Sequence, residues 1–218
     1  MKIFGLIFLF VSALHAEFSL QTLSMSPRVY LIPDFLSEAE CDYIIQAARP
    51  HLQRSTVLDD HGINGDVVDS RRSSKGMFFP SNHQDPVLRS IDHRIAQLTG
   101  LPVANGEAIQ VLAYQMGAEY QPHFDFFSPD TPGGAAQLKR GGQRVATVIM
   151  YLNTPEAGGE TIFPTVKISV TPHKGTALVF YSCTPDGKVD PLTLHGGAPV
   201  IAGEKWIATK WLHERIFY

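Results

Sequence analysis

From Ala108 onward the chain alternates between short apolar runs and turn clusters, and this pattern constrains its fold more than any other feature. The runs A-I-Q-V-L-A-Y-Q, R-V-A-T-V-I-M-Y-L-N, I-S-V-T-P, T-A-L-V-F-Y-S and E-K-W-I-A-T-K-W-L-H are rich in β-branched and aromatic residues. Stretches such as P-E-A-G-G and S-C-T-P-D-G-K interrupt them, as turns between strands do. The chain before Ala108 reads differently. V-Y-L-I-P-D-F-L predicts one strand, and L-S-E-A-E-C-D-Y-I-I-Q-A-A-R-P then opens a helix. There Ser37 and Glu40 stand at capping-box spacing, and Ile44, Ile45 and Ala48 supply part of a buried face. A second helix is predicted from Asp85-Pro86, with Val87, Leu88, Ile91, Ile95 and Leu98 at helical spacing and Gly100 as its stop. Both helices are read as packing support. Helices followed by regularly spaced strands predict a mainly β fold with flanking helices, an antiparallel double-sheet barrel of the jelly-roll kind. One long polar segment, Ser128 to Gln143, breaks the strand series and is rich in glycine and proline. Its length and position predict a mobile loop or a lid.

A chain of 218 residues fits one large domain, or one domain with a small extension. A net charge of −3 and a pI near 6.3 give no support for nucleic-acid binding, which calls for a basic face. Cys41 and Cys183 are too few for a disulfide scaffold; one bridge and two buried thiols both remain open. The first residues, M-K-I-F-G-L-I-F-L-F-V-S-A-L-H-A, have the layout of a secretory signal over residues 1–16. Lys2 supplies the positive start, Ile3 to Phe10 the apolar run, and V-S-A and L-H-A the small residues for cleavage. That run is too short to span a bilayer comfortably, and no later segment is long and apolar enough to do so. The expectation is therefore a soluble domain over residues 26–218, exported to a periplasm, an ER lumen or the outside. Translation from Met25 would instead leave it in the cytoplasm.

The chemistry gathers at Y-Q-P-H-F-D-F-F, residues 120–127. In an extended strand His123 and Asp125 point to one side and Phe124 to the other. That spacing suits a surface hydrogen-bonded pair, or two ligands of a metal site that lacks its third. His195, in L-T-L-H-G-G-A-P-V, is the best candidate, since the two glycines beside it allow another group to approach closely. The other histidines weigh little; His51, His61 and His83 lie in polar or helix-end settings and carry no functional expectation. Two imidazoles and one carboxylate leave three positions open on a divalent iron, as in non-haem Fe(II) oxygenases. The same donors could hold Zn²⁺ for hydrolysis. Lys205, ten residues beyond His195, separates the two readings. It lies on an apolar strand, where a buried lysine is rarely left unpaired, and its neighbour Glu204 points to the opposite face. An inward Lys205 calls for an anion from outside the chain. A dicarboxylate co-substrate supplies one, with its distal carboxylate on Lys205 and its 2-oxo acid end on the metal.

The motifs H-x-D, H-G-G-x-P-V and G-E-K-W-x-A-T-K-W-L-H resemble those of the 2-oxoglutarate- and Fe(II)-dependent dioxygenases of the prolyl 4-hydroxylase type. R-V-A-T-V-I-M-Y-L-N followed by G-G-E-T-I-F-P resembles the barrel core of that family. R-S-S-K-G-M-F-F is similar to its substrate-side loop, and D-F-L-S-x-x-E-C-D-Y-I-I to its first helix. A lone H-x-D is a weak signal; six ordered blocks from Pro33 to Glu214 are a specific one. The resemblance implies a double-stranded β-helix, cupin-like, with Fe(II) on His123, Asp125 and His195, 2-oxoglutarate as co-substrate and ascorbate as a further cofactor. It places Lys205 on the distal carboxylate, with Tyr114 and Thr161 helping to hold the same molecule and Trp211 lining its pocket. Ordinary core packing for Tyr114 and Trp211, and a turn role for Thr161, stay open. Glu107, Tyr120, Arg144 and His213 match positions near the reacting proline. Arg144, on an otherwise apolar strand, needs a partner, either a carbonyl of the peptide or an Asp or Glu elsewhere in the chain.

The implied reaction is hydroxylation of peptidyl proline at C4, with release of succinate and CO₂. Proline-rich peptides are pre-organised as polyproline II and suit an aromatic-lined groove. Its moving walls are expected at Ser73–Phe79 and Ser128–Gln143, with the aromatics of F-D-F-F shielding the reaction from water. The likeness is to the compact single-domain form, without the additional peptide-binding regions or partner subunit of the large animal enzymes. The chain departs from many relatives in having Ala198 where they have cysteine, so no disulfide forms there. Two other readings stay open: the same apparatus acting on another peptide residue, a free amino acid or a small molecule, and a non-catalytic metal-binding jelly-roll module.

Overall fold

The computed structural model describes residues 18–58, 66–67 and 69–218; the expected leader over residues 1–16 and His61 lie outside them. Strands β1 (Gln21–Met25) and β2 (Arg28–Ile32) precede helix α1 (Glu38–Ala48). Short strands β3 (Gln53–Arg54), β4 (Val57–Leu58), β5 (Asp66–Val67) and β6 (Lys75–Phe78) lead to helix α2 (Pro86–Thr99). Then come β7 (Gln110–Tyr114), β8 (Tyr120–His123), a short helix α3 (Pro132–Leu138), β9 (Arg144–Tyr151), β10 (Ala157–Gly158), β11 (Thr161–Phe163) and β12 (Ile168–Val170). β13 (Ala177–Tyr181), β14 (His195–Gly197), β15 (Val200–Ala202) and β16 (Lys205–His213) follow.

Eight strands make the major sheet in the order β1-β2-β13-β9-β16-β7-β6-β3, and four make the minor sheet, β12-β11-β14-β8. All neighbours in both pair antiparallel. Successive side chains on a strand face opposite ways, and the major sheet uses this to build two apolar layers. Leu112, Ile149, Tyr151, Leu178 and Phe180 point inward and meet Phe163 and Val170 of the minor sheet. Val111, Val148, Met150, Trp206 and Ala208 point outward and meet Ile44 of α1 and Leu88, Ile91 and Ile95 of α2. The result is the expected jelly-roll, two antiparallel sheets face to face, with helices covering one outer surface. No helix among the described residues is long and apolar enough to cross a membrane.

The helix signals act as their chemistry predicts. Ser37 Oγ accepts from the Glu40 amide at 3.2 Å, and Glu40 Oε2 accepts from the Ser37 amide at 2.8 Å, closing the capping box. Asp85 Oδ1 accepts from the amides of Val87 and Leu88, and Gly100 ends α2 in the left-handed region at φ 72°. One buried ion pair bolts α2 to the sheet: Lys210 Nζ lies 2.7 Å from Asp92 Oδ1, both nearly solvent-free, and His83 Nε2 lies 3.3 Å from Asp92 Oδ2.

Several expectations need correction. The presumed mobile wall at Ser73–Phe79 contains β6, hydrogen-bonded into the major sheet between β7 and β3. Gly76 reads as a loop residue, yet it is there for close packing: a Cβ would meet Leu112 Cδ2 at 2.7 Å and the Val111 carbonyl at 3.0 Å. The segment Ser128–Gln143 is not a plain loop but carries α3, capped by Thr131, whose Oγ1 accepts from the Gly134 amide at 3.1 Å. Its two glycines disguise the helix, and Gly134 is required because a Cβ would approach the Ser128 carbonyl to 2.1 Å. The strand expected through Leu36 stops at Ile32; Pro33 has no amide to give, and Phe35 and Leu36 turn into the core. At the other end β1 pairs with β2, so sheet structure begins at Gln21. Cys41 and Cys183 are two free, buried thiols.

Candidate active site

His123 closes β8 and His195 opens β14, and the two are direct cross-strand partners. Asp125 lies beyond the end of β8, so only one member of the H-x-D pair is on the strand. The three side chains nonetheless converge, with one ligand atom from each within 4.8 Å of the others. Gly196 makes this possible. A Cβ there would stand 2.8 Å from the Tyr120 carbonyl and 3.1 Å from the Pro122 nitrogen, forcing β14 away from β8.

Each imidazole is fixed from behind. His123 Nδ1 donates to the Gln121 carbonyl at 2.9 Å, and His195 Nδ1 to that of Thr193 at 2.9 Å, which leaves both Nε2 lone pairs facing the centre. Tyr120 stacks on His123 with ring centroids 3.7 Å apart, and the Arg72 guanidinium lies 4.8 Å over Tyr120. Burial, then the neighbouring His195, pushes the His123 pKa well down. For Asp125 burial acts upward, but the two imidazoles overcome it and hold the carboxyl below its usual range. Two imidazoles and one carboxylate, their ligand atoms aimed at one point, fit a divalent cation.

The same cavity is lined by Tyr114, Thr161, Lys205 and Trp211. Lys205 is 2% exposed, its Nζ 5.4 Å over the Tyr114 ring and 6.0 Å over that of Tyr151. Burial lowers its pKa to about 8, with only Glu160 acting the other way. No carboxylate of the described residues forms an ion pair with it. Glu204 turns outward to Arg49 at 3.1 Å. Thr161 is no turn residue: it is buried on β11 and accepts from the Tyr151 hydroxyl at 2.8 Å. A cavity with a cation pocket at one end and the histidine–aspartate cluster beside it suits a small dicarboxylate.

Glu107, Arg144 and His213 come together, but outside the residues that line this cavity. The partner of Arg144 is Glu107, held by two bonds of 2.5 and 2.9 Å. His213, fully buried, places Nε2 2.8 Å from the same carboxylate and Nδ1 3.1 Å from the Gly142 carbonyl. Burial would raise the Glu107 pKa, yet the guanidinium and the imidazole bring it down to about 2. Arg144 in turn stacks on Trp211 at 4.3 Å and Phe127 at 4.7 Å. The trio is thus a buried network behind Trp211, whereas Tyr120 does line the cavity.

The aromatics of F-D-F-F are not cavity walls. Phe124 is 41% exposed and stacks on Phe126 at 4.6 Å. Two residues of the site were not singled out by sequence. Arg72 donates to the Thr56 carbonyl and to Gln110 Oε1 at 3.0 Å each, and nothing local distinguishes it from exposed Arg71. Thr147, fully buried on β9, donates to Asp125 Oδ2 at 2.7 Å. Its signal was a threonine inside the apolar run V-A-T-V-I-M-Y.

Comparison with known proteins adds ancestry to this geometry. The family model described as 2OG-Fe(II) oxygenase superfamily matches residues 109–213. Prolyl 4-hydroxylase 1 of Arabidopsis thaliana is 44% identical over 212 residues, covering 89% of this chain and 72% of its own. Prolyl 4-hydroxylase 5 of the same plant is 40% identical over 217 residues, covering 90% and 72%. Among solved structures, the viral collagen prolyl hydroxylase of Paramecium Bursaria Chlorella virus-1, in its 2OG complex, superimposes with a TM-score of 0.64 at 33% identity, over 84% of this chain and 94% of that one. A Pseudomonas putida prolyl-4-hydroxylase at 19% identity and a TM-score of 0.58, over 86% and 92%, shares the fold.

Proposed function

The chain belongs to the prolyl 4-hydroxylase family within the 2OG-Fe(II) oxygenase superfamily, and from that membership we propose that it hydroxylates peptidyl proline at C4. It is a 2-oxoglutarate-dependent dioxygenase. When bound, Fe(II) and 2-oxoglutarate supply the oxidation: one atom of O₂ enters succinate, the other the proline hydroxyl, and CO₂ leaves. His123, Asp125 and His195 hold the metal through Nε2, a carboxylate oxygen and Nε2. Lys205 binds the distal carboxylate of 2-oxoglutarate, with Tyr114 and Thr161 beside it. Ascorbate serves as the reductant that keeps the metal ferrous.

The single observation that carries this reading is Lys205, a buried cation without an ion-pair partner among the described residues, in the cavity that holds the histidine–aspartate cluster. Hydrolysis on zinc has no use for it. A dicarboxylate does. Tyr120 and Trp211 line the same cavity, and the Glu107–Arg144–His213 network packs on Trp211 from behind through Arg144. The viral relative is named a collagen prolyl hydroxylase, which favours an extended proline-rich peptide as substrate. We further propose that residues 1–16 direct export; N-terminal sequencing of the secreted product tests this.

The function is tested by following succinate formation with Fe(II), ascorbate and 2-oxoglutarate, with and without a proline-rich peptide. Peptide-stimulated turnover is expected, with no such stimulation by free proline. Alanine at His123, Asp125 or His195 should remove it. Full activity in any of the three variants would overturn the metal assignment.

A further inference from the structure

We infer that Thr147 is a positioning residue that holds the Asp125 carboxylate in its orientation as a metal ligand. Asp125 is the least supported of the three ligands by the backbone. It lies past the last ladder pair of β8, whereas His123 and His195 face each other across a strand pair. What holds it is a side chain. Thr147 sits in the middle of β9, the best-braced strand of the major sheet, paired with Phe180 of β13 on one side and Trp211 of β16 on the other. Its side chain is fully buried, and a β-branched residue there has little rotamer freedom. The hydroxyl donates to Asp125 Oδ2 at 2.7 Å, a charge-assisted bond in a dry setting.

That bond holds the carboxylate by one of its two oxygens. Oδ2 accepts from Thr147 and lies 3.6 Å from His195 Nε2, while Oδ1 lies 3.8 Å from His123 Nε2. A free carboxylate turns easily about its last torsion and can offer either oxygen or both. With Oδ2 tied to the sheet, that torsion is fixed and both oxygens keep their places beside the two imidazoles. The role rests on the proposed function, and it concerns the metal centre before any peptide arrives.

The test measures metal binding rather than turnover. Partners that orient metal ligands typically contribute 10–100-fold in metal affinity. Thr147→Val keeps the shape and removes the donor; Thr147→Ser keeps the donor. Under anaerobic conditions, Fe(II) affinity is measured by chelator competition, and the visible charge-transfer absorption of the Fe(II)–2-oxoglutarate complex is recorded. Thermal melts of the metal-free proteins report folding. Thr147→Val is expected to bind Fe(II) at least 10-fold more weakly with a shifted or weakened band, and Thr147→Ser to restore both. If Thr147→Val fails to fold, Thr147→Ala against Thr147→Ser isolates the hydroxyl. Unchanged affinity and spectrum in the variant without the hydroxyl would overturn the tether, as would a serine variant no better than valine. Absence of peptide hydroxylation by the native protein with these Fe(II) differences intact would count against the proposed function alone.

Discussion

At the scale of single residues, Lys205 ties burial to pH and to ligand binding. The ordinary lysine pKa is about 10.4, whereas burial leaves this one near 8. Between those values the unfolded chain keeps a proton that the folded, ligand-free protein has released, so stability rises with pH across that window. Below about pH 8 the full cost of the buried ammonium is present. Lys205→Met should therefore stabilise the ligand-free protein at pH 7, by on the order of 2–3 kcal/mol, and the gain should shrink towards pH 10. Denaturant melts at the two pH values measure this; a destabilised variant at pH 7 would contradict it. The same substitution should nearly abolish 2-oxoglutarate binding. For the native protein, 2-oxoglutarate affinity should fall above about pH 8, by up to about tenfold per pH unit, because binding must then recover the proton. Calorimetry between pH 7 and 9.5 reads this directly, and a flat affinity would contradict it. Lys205 was legible in the sequence because a lysine in an apolar strand is a local anomaly. The partner of Arg144 was not, since Glu107 lies 37 residues away and only the sheet brings the two together.

At the scale of elements, the site depends on how closely β14 approaches β8 and on how α2 is fastened to β16. Gly196→Ala must push a methyl into the backbone of Tyr120 and Pro122. Fe(II) affinity is expected to drop by at least 10-fold while the far side of the major sheet keeps its protection in hydrogen exchange; native affinity would show that the strands need not touch. Asp92→Ala leaves Lys210 buried without its partner, which should cost about 3–5 kcal/mol. A urea unfolding midpoint close to native would refute this. The elements with chemical start and stop signals were legible: the capping box of α1, and Asp85, Pro86 and Gly100 of α2. Those that use glycine for close packing were not. Gly76 in β6 and Gly134 in α3 look like loop residues because the atoms that exclude a side chain, from Leu112 and Ser128, are invisible to local pattern.

At the scale of the whole molecule, one sheet serves two functions through the alternation of its side chains. Along β16, Trp206, Ala208 and Leu212 pack towards the helices, while Lys205, Ile207, Thr209 and Trp211 line the cavity. Periodicity made the sheets and their outer core legible. The interior was legible only where motif residues marked it, since its shape comes from two sheets folded over each other. Measurement of the peptide product tests the account most directly. A proline-rich peptide is incubated with the full chain, Fe(II), ascorbate and 2-oxoglutarate, and its fragments are mapped by mass spectrometry. The account predicts a gain of one oxygen atom on proline, identified as 4-hydroxyproline after hydrolysis, in step with the succinate released. Succinate formed without any oxygen on the peptide, or oxygen on another residue, would contradict it.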